Sequence, residues 1–201
     1  INPDKKNNES IYGSARVFFP NNQIYFDYIF NNKVLNISSS RLINNYFKGQ
    51  LFGDLLLFPF STFDAKLDIT LLKFKSILSS RFIKNNKLLS QLVPFNNKIN
   101  GKMNINFDKI TSSSNIINSG NANLEFRNGI LIVKEIKLNM NRIGNIKLMG
   151  KILQQKKNKL FIFNTKINLE NSKIFYSRFL IPEKNRIDLA PIVLLGKINL
   201  E

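Results

Sequence analysis

The chain of 201 residues contains no cysteine, no histidine and no tryptophan. Without cysteine there is no disulfide framework to read, and the redox compartment cannot be inferred from thiol usage. Without cysteine and histidine, Ser-His-Asp and Cys-His triads, thiol chemistry and zinc sites are excluded from this segment. Acid is scarce as well, with 13 Asp plus Glu against 30 Lys plus Arg, a formal net charge of +17. Asp64 and Asp68 share a strand face, but four residues at about 3.3 Å each set them roughly 13 Å apart. That is too wide for a paired acid and base without help from another strand, so both read as solvated charges. Tyr12, Tyr25, Tyr28, Tyr46 and Tyr176 have no base beside them in sequence. No constellation of acid, base or metal ligand survives, and the chain reads as non-enzymatic, with no cofactor and no metal.

Long apolar runs are missing too. Runs such as Leu55-Leu56-Leu57-Phe58-Pro59-Phe60 fall far short of the roughly 18 residues a membrane helix needs. The chain opens at Ile1 and closes on Ile198-Asn199-Leu200-Glu201 in mid-alternation, so it reads as a piece of a longer protein, and its N-terminus is no evidence against a signal peptide or a membrane anchor. A phosphate-binding loop is also lacking, although Gly144 to Leu153, GNIKLMGKIL, has its outline. The P-loop needs GxxxxGK[ST], with a hydroxyl to bind magnesium. Here five residues separate the glycines, and Ile152 stands where the hydroxyl belongs.

What is abundant is Asn, Lys, Ile and Phe, the residues an AT-rich genome supplies. The positive charges are scattered singly, and the densest cluster, Lys156-Lys157-Asn158-Lys159, suits a hairpin tip. Beyond the polar stretch Asn2 to Ser10 the dominant period is two. In Ile99 to Phe107, INGKMNINF, every odd position is apolar or Gly and every even one polar, the pattern of a half-buried strand. Phe63 to Ile69, Ala122 to Phe126, Lys134 to Met140, Asn145 to Ile152 and Lys166 to Leu169 read the same way. Pro20-Asn21-Asn22, Asn31-Asn32, Arg127-Asn128-Gly129 and Gln154 to Asn158 are turn signals between them, which predicts an antiparallel meander. One segment breaks it: Leu71 to Leu92 carries apolar residues at mixed three-and-four spacing and reads as one or two short helices ended by Pro94. A second helical turn is expected near Ser172 to Leu180. Phe18-Phe19 and Ile24-Tyr25-Phe26 read as core aromatics rather than as a stacking platform for nucleic acid.

Four glycines share one frame, apolar residues two positions to either side. They are Gly49, Gly101, Gly150 and Gly196, separated by 101 − 49 = 52, 150 − 101 = 49 and 196 − 150 = 46 residues. Such a quasi-repeat predicts an elongated repetitive sheet. Alternation puts all four on the apolar face, where a missing side chain marks a bulge or a bend, so they read as sheet-bending residues. Lys102, Lys147, Lys151 and Lys197 stand near them, either at the rim of the apolar face, where they would meet anionic head groups, or solvated on the opposite face.

The stretches NKINGKMNINFDKI, NANLEFRNGILIVKEIKLNM and GNIKLMGKIL, between Asn97 and Leu153, resemble the C-terminal region of AsmA-like proteins, a bacterial envelope superfamily that also holds the TamB and YhdP groups. The shared features are an apolar-Gly-Lys-apolar strand opening a unit, a strand ending in Phe126-Arg127-Asn128-Gly129, and paired amphipathic strands closing on Leu148-Met149-Gly150. The resemblance implies an inner-membrane anchor and a long periplasmic sheet folded into a taco-like groove with an apolar lining. It also implies a part in moving phospholipid toward the outer membrane and in assembling that membrane, and it carries over no catalytic residue. The strong positive charge and the Asn richness depart from the family.

The fold expected is therefore mainly β: a long, curved, taco-like antiparallel sheet with an apolar inner face and one or two short helices. Its parts are a polar lead-in (1–10), a β unit (11–70), a helical segment (71–95) and an AsmA-like repetitive β region (96–201). The groove lining expected is Met103, Ile105, Phe107, Leu124, Phe126, Ile136, Leu138, Met140, Ile146, Leu148 and Ile198. The partners expected are phospholipid and, through the outside anchor, the periplasmic side of the inner membrane, with no nucleic acid. The rival readings are a structural or adhesive surface protein of repetitive sheet, with a dry closed core, and a basic nucleic-acid-binding β domain, with a salt-sensitive basic patch.

Overall fold

The computed structural model describes residues 10–20, 22–57, 61–79, 98–112, 115–155, 158–186 and 191–200. The expected lead-in, except Ser10, the helical residues from 80 to 92, and Pro94 lie outside them.

The described residues form one open, mainly β sheet of twelve strands, mostly antiparallel, with two short helices. In chain order the strands are β1 (Ile11–Phe19), β2 (Asn22–Asn31), β3 (Val34–Ile43), β4 (Phe47–Leu56), β5 (Ser61–Lys73), β6 (Ile99–Phe107), β7 (Ile110–Thr111), β8 (Ser119–Arg127), β9 (Ile130–Asn139), β10 (Gly144–Gln155), β11 (Asn158–Leu169) and β12 (Ile192–Asn199). Helix α1 (Phe74–Ser79) follows β5, and α2 (Ser172–Arg178) with a 3-10 turn (Glu183–Asn185) follows β11. Eleven strands lie side by side in chain order, β7 alone standing off the path beside the end of β5. At about 4.8 Å per strand the sheet is about 48 Å wide.

Hairpins form at turns the sequence marks and also at residues 44–46 and 141–143, which its turn signals do not include. Asn32 and Lys33 both take positive φ (48° and 71°), as do Asn128 and Gly129 (50° and 75°), the backbone of the tight hairpin turns that Asn tolerates. The pairing of β10 with β11 runs to Gln155↔Asn158, so the expected hairpin closes there. The meander breaks once, between β5 and β6, which run parallel from Ser61↔Ile99 to Ile69↔Phe107. Parallel neighbours need a long crossover, and residues 74–98 supply it. The helical segment expected from Leu71 begins three residues later, because Leu71, Leu72 and Lys73 continue β5 and pair with β4 and β7. Helix α2 forms where a second helical turn is expected, and the Asn171 side chain caps it by accepting a hydrogen bond from the Ile174 N–H at 3.0 Å.

Bulges curl the sheet. In β9 one extra residue, Lys134, shifts register against β8 and against β10 at the same level. In β5, Thr70 does so opposite Gly49, and in β3 Ser38 does so opposite the Asp27/Tyr28 step. Each such insertion bends its strand and raises the local twist.

Candidate functional site: an apolar inner face with an end pocket

Strand alternation and register place apolar side chains of β5 to β12 in four rows across one face. Along the first, Phe63, Gly101, Phe126, Leu131, Ile152, Phe161 and Ile198 are cross-strand partners in succession. The second holds Met103, Leu124, Val133, Gly150, Phe163 and Gly196; the third Ile105, Ala122, Ile136, Leu148, Thr165 and Leu194; the fourth Phe107, Gly120, Leu138, Ile146, Ile167 and Ile192. Ten of the eleven expected lining residues therefore stand in these rows. The eleventh, Met140, lies just past the end of β9 and is buried. The face continues over β4 to β1 through Leu51, Leu55, Leu35, Ile37, Phe26, Tyr28, Phe30, Ala15 and Val17.

Little covers this face. Among the described residues only nine apolar side chains are buried: Ile69, Ile110, Ala122, Leu131, Val133, Met140, Ile143, Ile152 and Tyr176. Around Leu131 and Ile152 gather Leu124, Phe126, Phe161 and Leu200, a lateral cluster between strands of the same sheet. The chain exposes 13,995 Å², against about 9,700 Å² for a compact monomer of 23.2 kDa. A single open sheet, exposed on both faces among the described residues, contributes to the excess.

The four expected glycines do two different things. Gly49 and Gly150 sit at register shifts, where the sheet bends. At Gly101 the register is regular, and the missing side chain serves a close approach: an added Cβ would lie 2.4 Å from the Phe63 carbonyl oxygen and 2.6 Å from its ring. Across this gap Phe63 and Phe126, two strands apart, bring their ring centroids to 5.4 Å. Gly150 and Gly196 flank Phe163 on its two sides, and the Phe163 ring lies over Gly196 while stacking on Phe161 at 5.3 Å. The glycines stand on β4, β6, β10 and β12, two, three and two strands apart in the sheet. Their even spacing in sequence thus reflects no constant structural unit.

At one end the inner face deepens into a pocket of about 440 Å³. Its floor is Met140, Ile146, Ile167, Leu169 and Ile192; Phe74 and Lys75 of α1, Phe175 of α2 and Phe179 just past its end, and Ile116 and Ile117 form its walls. The Phe175 and Phe179 rings meet at 4.7 Å, one helical turn apart. The lining is apolar apart from Lys75 and Ser112, and the Ser112 hydroxyl oxygen is buried without a hydrogen-bond partner. The helical spacing of Phe175 and Phe179 is the one sequence signal for this pocket; its other walls come together only through the β5–β6 crossover and the connection after β7.

The outer face is polar and bound by cross-strand ladders. Asn36 donates to Asp54 at 2.7 Å, Asn106 to Asp68 at 2.6 Å, Asn168 to Asn145 at 3.0 Å and Asn145 to Glu170 at 3.0 Å. Asn therefore serves as a turn former and as a ladder residue. Asp68 also pairs with Lys66 at 2.7 Å, and this bond first, helped by that of Asn106, outweighs desolvation and holds its pKa below the ordinary value. Glu125 pairs with Lys134 at 2.9 Å and with Arg127, and its side chain is only 9% exposed. Its pKa is lowered, first by the Lys134 hydrogen bond. The two cations that cover it are themselves solvated, 57% and 64% exposed, so water still screens the cluster. Glu135 is held down likewise by Lys137 at 3.0 Å and Lys147 at 3.1 Å.

Lys102, Lys147, Lys151 and Lys197 all fall on this outer face, because each is one or three residues from an inward glycine and side chains alternate. None stands at the rim of the apolar face. Asp64 and Asp68 also face outward, Asp64 exposed and opposite Asp54, and no group of three or more acids that could hold a metal ion occurs among the described residues. Tyr25, which has no base beside it in sequence, donates its phenol proton to Asp27 at 2.5 Å, a partner two residues on and thus on the same strand face. That hydrogen bond first, and the negative charge of Asp27 with it, raise the phenol pKa. No described helix is long and apolar enough to cross a membrane. Compared with family models, curated proteins and solved structures, the chain finds no match.

Proposed function

We propose that the inner face of this sheet shelters phospholipid acyl chains, as a non-enzymatic part of an AsmA-like periplasmic protein whose anchor in the inner membrane lies outside this segment. Its work would be lipid transport toward, and assembly of, the outer membrane. The observation that carries the reading is a single, largely apolar face that extends across eleven strands, with no second sheet upon it among the described residues. The mechanism is transfer rather than chemistry: each methylene that leaves water for the trough gains about 0.8 kcal/mol, while the head group stays at the open side. The end pocket offers a seat for a chain terminus. At about 30 Å³ for a water-sized group, its 440 Å³ holds about fifteen of them.

The half-exposed inner face favours this reading over a structural or adhesive sheet, whose core would be dry and closed. Mass spectrometry of lipids that co-purify with the full-length protein from membranes is the test. Phospholipid in stoichiometric amount is the expected result; persistent absence of lipid from well-folded protein would sink the proposal.

A further inference from the structure

The outer face of the sheet is polar over much of its width but carries exposed apolar side chains towards both edges: Met149, Val193 and Leu195 on the β12 side, and aromatic rings on the β1 side, where arginines accompany them. Tyr12 and Phe18, 74% and 71% exposed, alternate along β1 with Ser14 and Arg16. In β2, Tyr25 lies between two guanidinium-bearing neighbours, Arg16 on β1 and Arg41 on β3, its direct cross-strand partners. The Arg16 guanidinium sits over the Tyr25 ring, 5.2 Å from its centroid, and the Tyr25 hydroxyl is fixed by its bond to Asp27. Among the described residues neither Arg16 nor Arg41 forms a salt bridge with a carboxylate, in contrast to Lys66, Arg127, Lys134, Lys137 and Lys147 elsewhere on this face. A shallow cleft of about 460 Å³ opens between them, lined by Arg16, Phe18, Gln23, Tyr25, Arg41 and Gln50.

We propose that this cleft and its flanking rings form a docking surface for an anionic phospholipid membrane, Arg16 and Arg41 binding head-group phosphate while Phe18 and Tyr12 sit at head-group depth. Two strand spacings, about 9.6 Å, separate the two arginine backbones. Both side chains rise on the same face about Tyr25, so their forks can converge on one phosphate or hold two neighbouring ones, and guanidinium geometry suits phosphate oxygens. A free phosphate would satisfy the arginines but gives no reason for the exposed rings of Tyr12 and Phe18 on the same strand as Arg16. A lipid surface satisfies both, since aromatic side chains settle at the boundary of head groups and acyl chains and basic ones are drawn to anionic lipid. The site lies on the opposite face from the trough, so it stands or falls separately from acyl-chain binding there.

The test is co-sedimentation of the intact chain with phosphatidylcholine vesicles, with and without 30% phosphatidylglycerol, at about 0.1 M salt, where charges are screened beyond about 10 Å. The expected result is binding to the anionic vesicles alone, weakened about 30-fold in R16Q/R41Q, the effect of two basic residues at an anionic surface. F18S weakens it further, and R16K/R41K restores part of it. The control K151Q/K166Q removes the same charge from exposed outer-face positions and leaves binding within about twofold of the parent, since those residues lie beyond a Debye length from the cleft. Circular dichroism of each variant matches the parent, because every substituted side chain faces solvent. Equal loss in the control, no vesicle binding, release by millimolar inorganic phosphate, or tighter binding of an oligothymidylate than of vesicles would each overturn the assignment.

Discussion

Strands β8 to β11 and strands β1 to β4 follow the same alternation but bury their apolar residues to different degrees. In the first set Ala122, Leu131, Val133 and Ile152 are buried; in the second no described apolar side chain is, although Phe26, Tyr28, Phe30, Leu35, Ile37 and Leu42 face the same way. The Lys134 bulge shifts register on both sides of β9, and Phe126 and Phe161 close over the inner residues from adjacent strands. In β1 to β4 the apolar residues are divided between two faces, with Tyr12, Phe18, Tyr25, Ile29 and Phe52 turned outward, and Ser40 interrupts the inner face by bonding the Leu51 backbone. Alternation chooses the face, whereas burial needs curvature and large side chains on neighbouring strands.

The comparison breaks most directly by truncation. Leu131→Ala should cost about 2–4 kcal/mol, because it empties the centre of the cluster, whereas Leu35→Ala, half-exposed in β3, should cost about 1 kcal/mol or less. Urea denaturation of both variants checks this, and equal losses would mean that the two regions are packed alike. Next in size is Gly101→Val, expected to cost about 1–3 kcal/mol, since its side chain must displace the Phe63 ring and backbone. Gly196→Ala meets only the Phe163 ring at an open edge and should cost clearly less in a thermal melt. Asn171→Ala removes the α2 cap and should cost about 1 kcal/mol, seen as faster amide exchange at Phe175 and Tyr176 with β1 to β4 unchanged.

The smallest effect is that of acid. Asp68, Glu125 and Glu135 have folded pKa values below their ordinary ones, so the folded state binds protons less readily than the unfolded chain. Their contribution is complete above the unfolded pKa values, about 4, and is lost as pH falls through the lower folded values. Thermal midpoints should therefore be flat in this respect from pH 7 to 5 and fall below about pH 4, with E135Q flattening part of the fall. All three carboxylates lie in β5, β8 and β9, so exchange in β1 to β4 should respond less.

Much of the right-hand side of the sheet is legible in the sequence. Ile99 to Phe107 alternates without interruption and is β6 residue for residue, and the parity of GNIKLMGKIL fixes which side of β10 faces inward. Strands β1 to β4 are harder to read, because Tyr25-Phe26 and Leu51-Phe52 place apolar residues on both faces. Period two also says nothing about which strand lies beside which. The parallel β5–β6 pair depends on the crossover, and Leu71-Leu72, apolar in succession, suit a strand end as well as a helix start. The end pocket unites residues from five separate parts of the chain, and only Phe175 and Phe179 announce it locally.

The central claim, that acyl chains are sheltered on the inner face of β6 and not on its outer face, is tested by a photo-crosslinking residue placed at Ile105 or at Asn104, adjacent positions on opposite faces of that strand. With radiolabelled phospholipid supplied to the full-length protein in membranes, position 105 should capture lipid and position 104 should not. Equal labelling at the two positions, or labelling at 104 alone, would contradict the account.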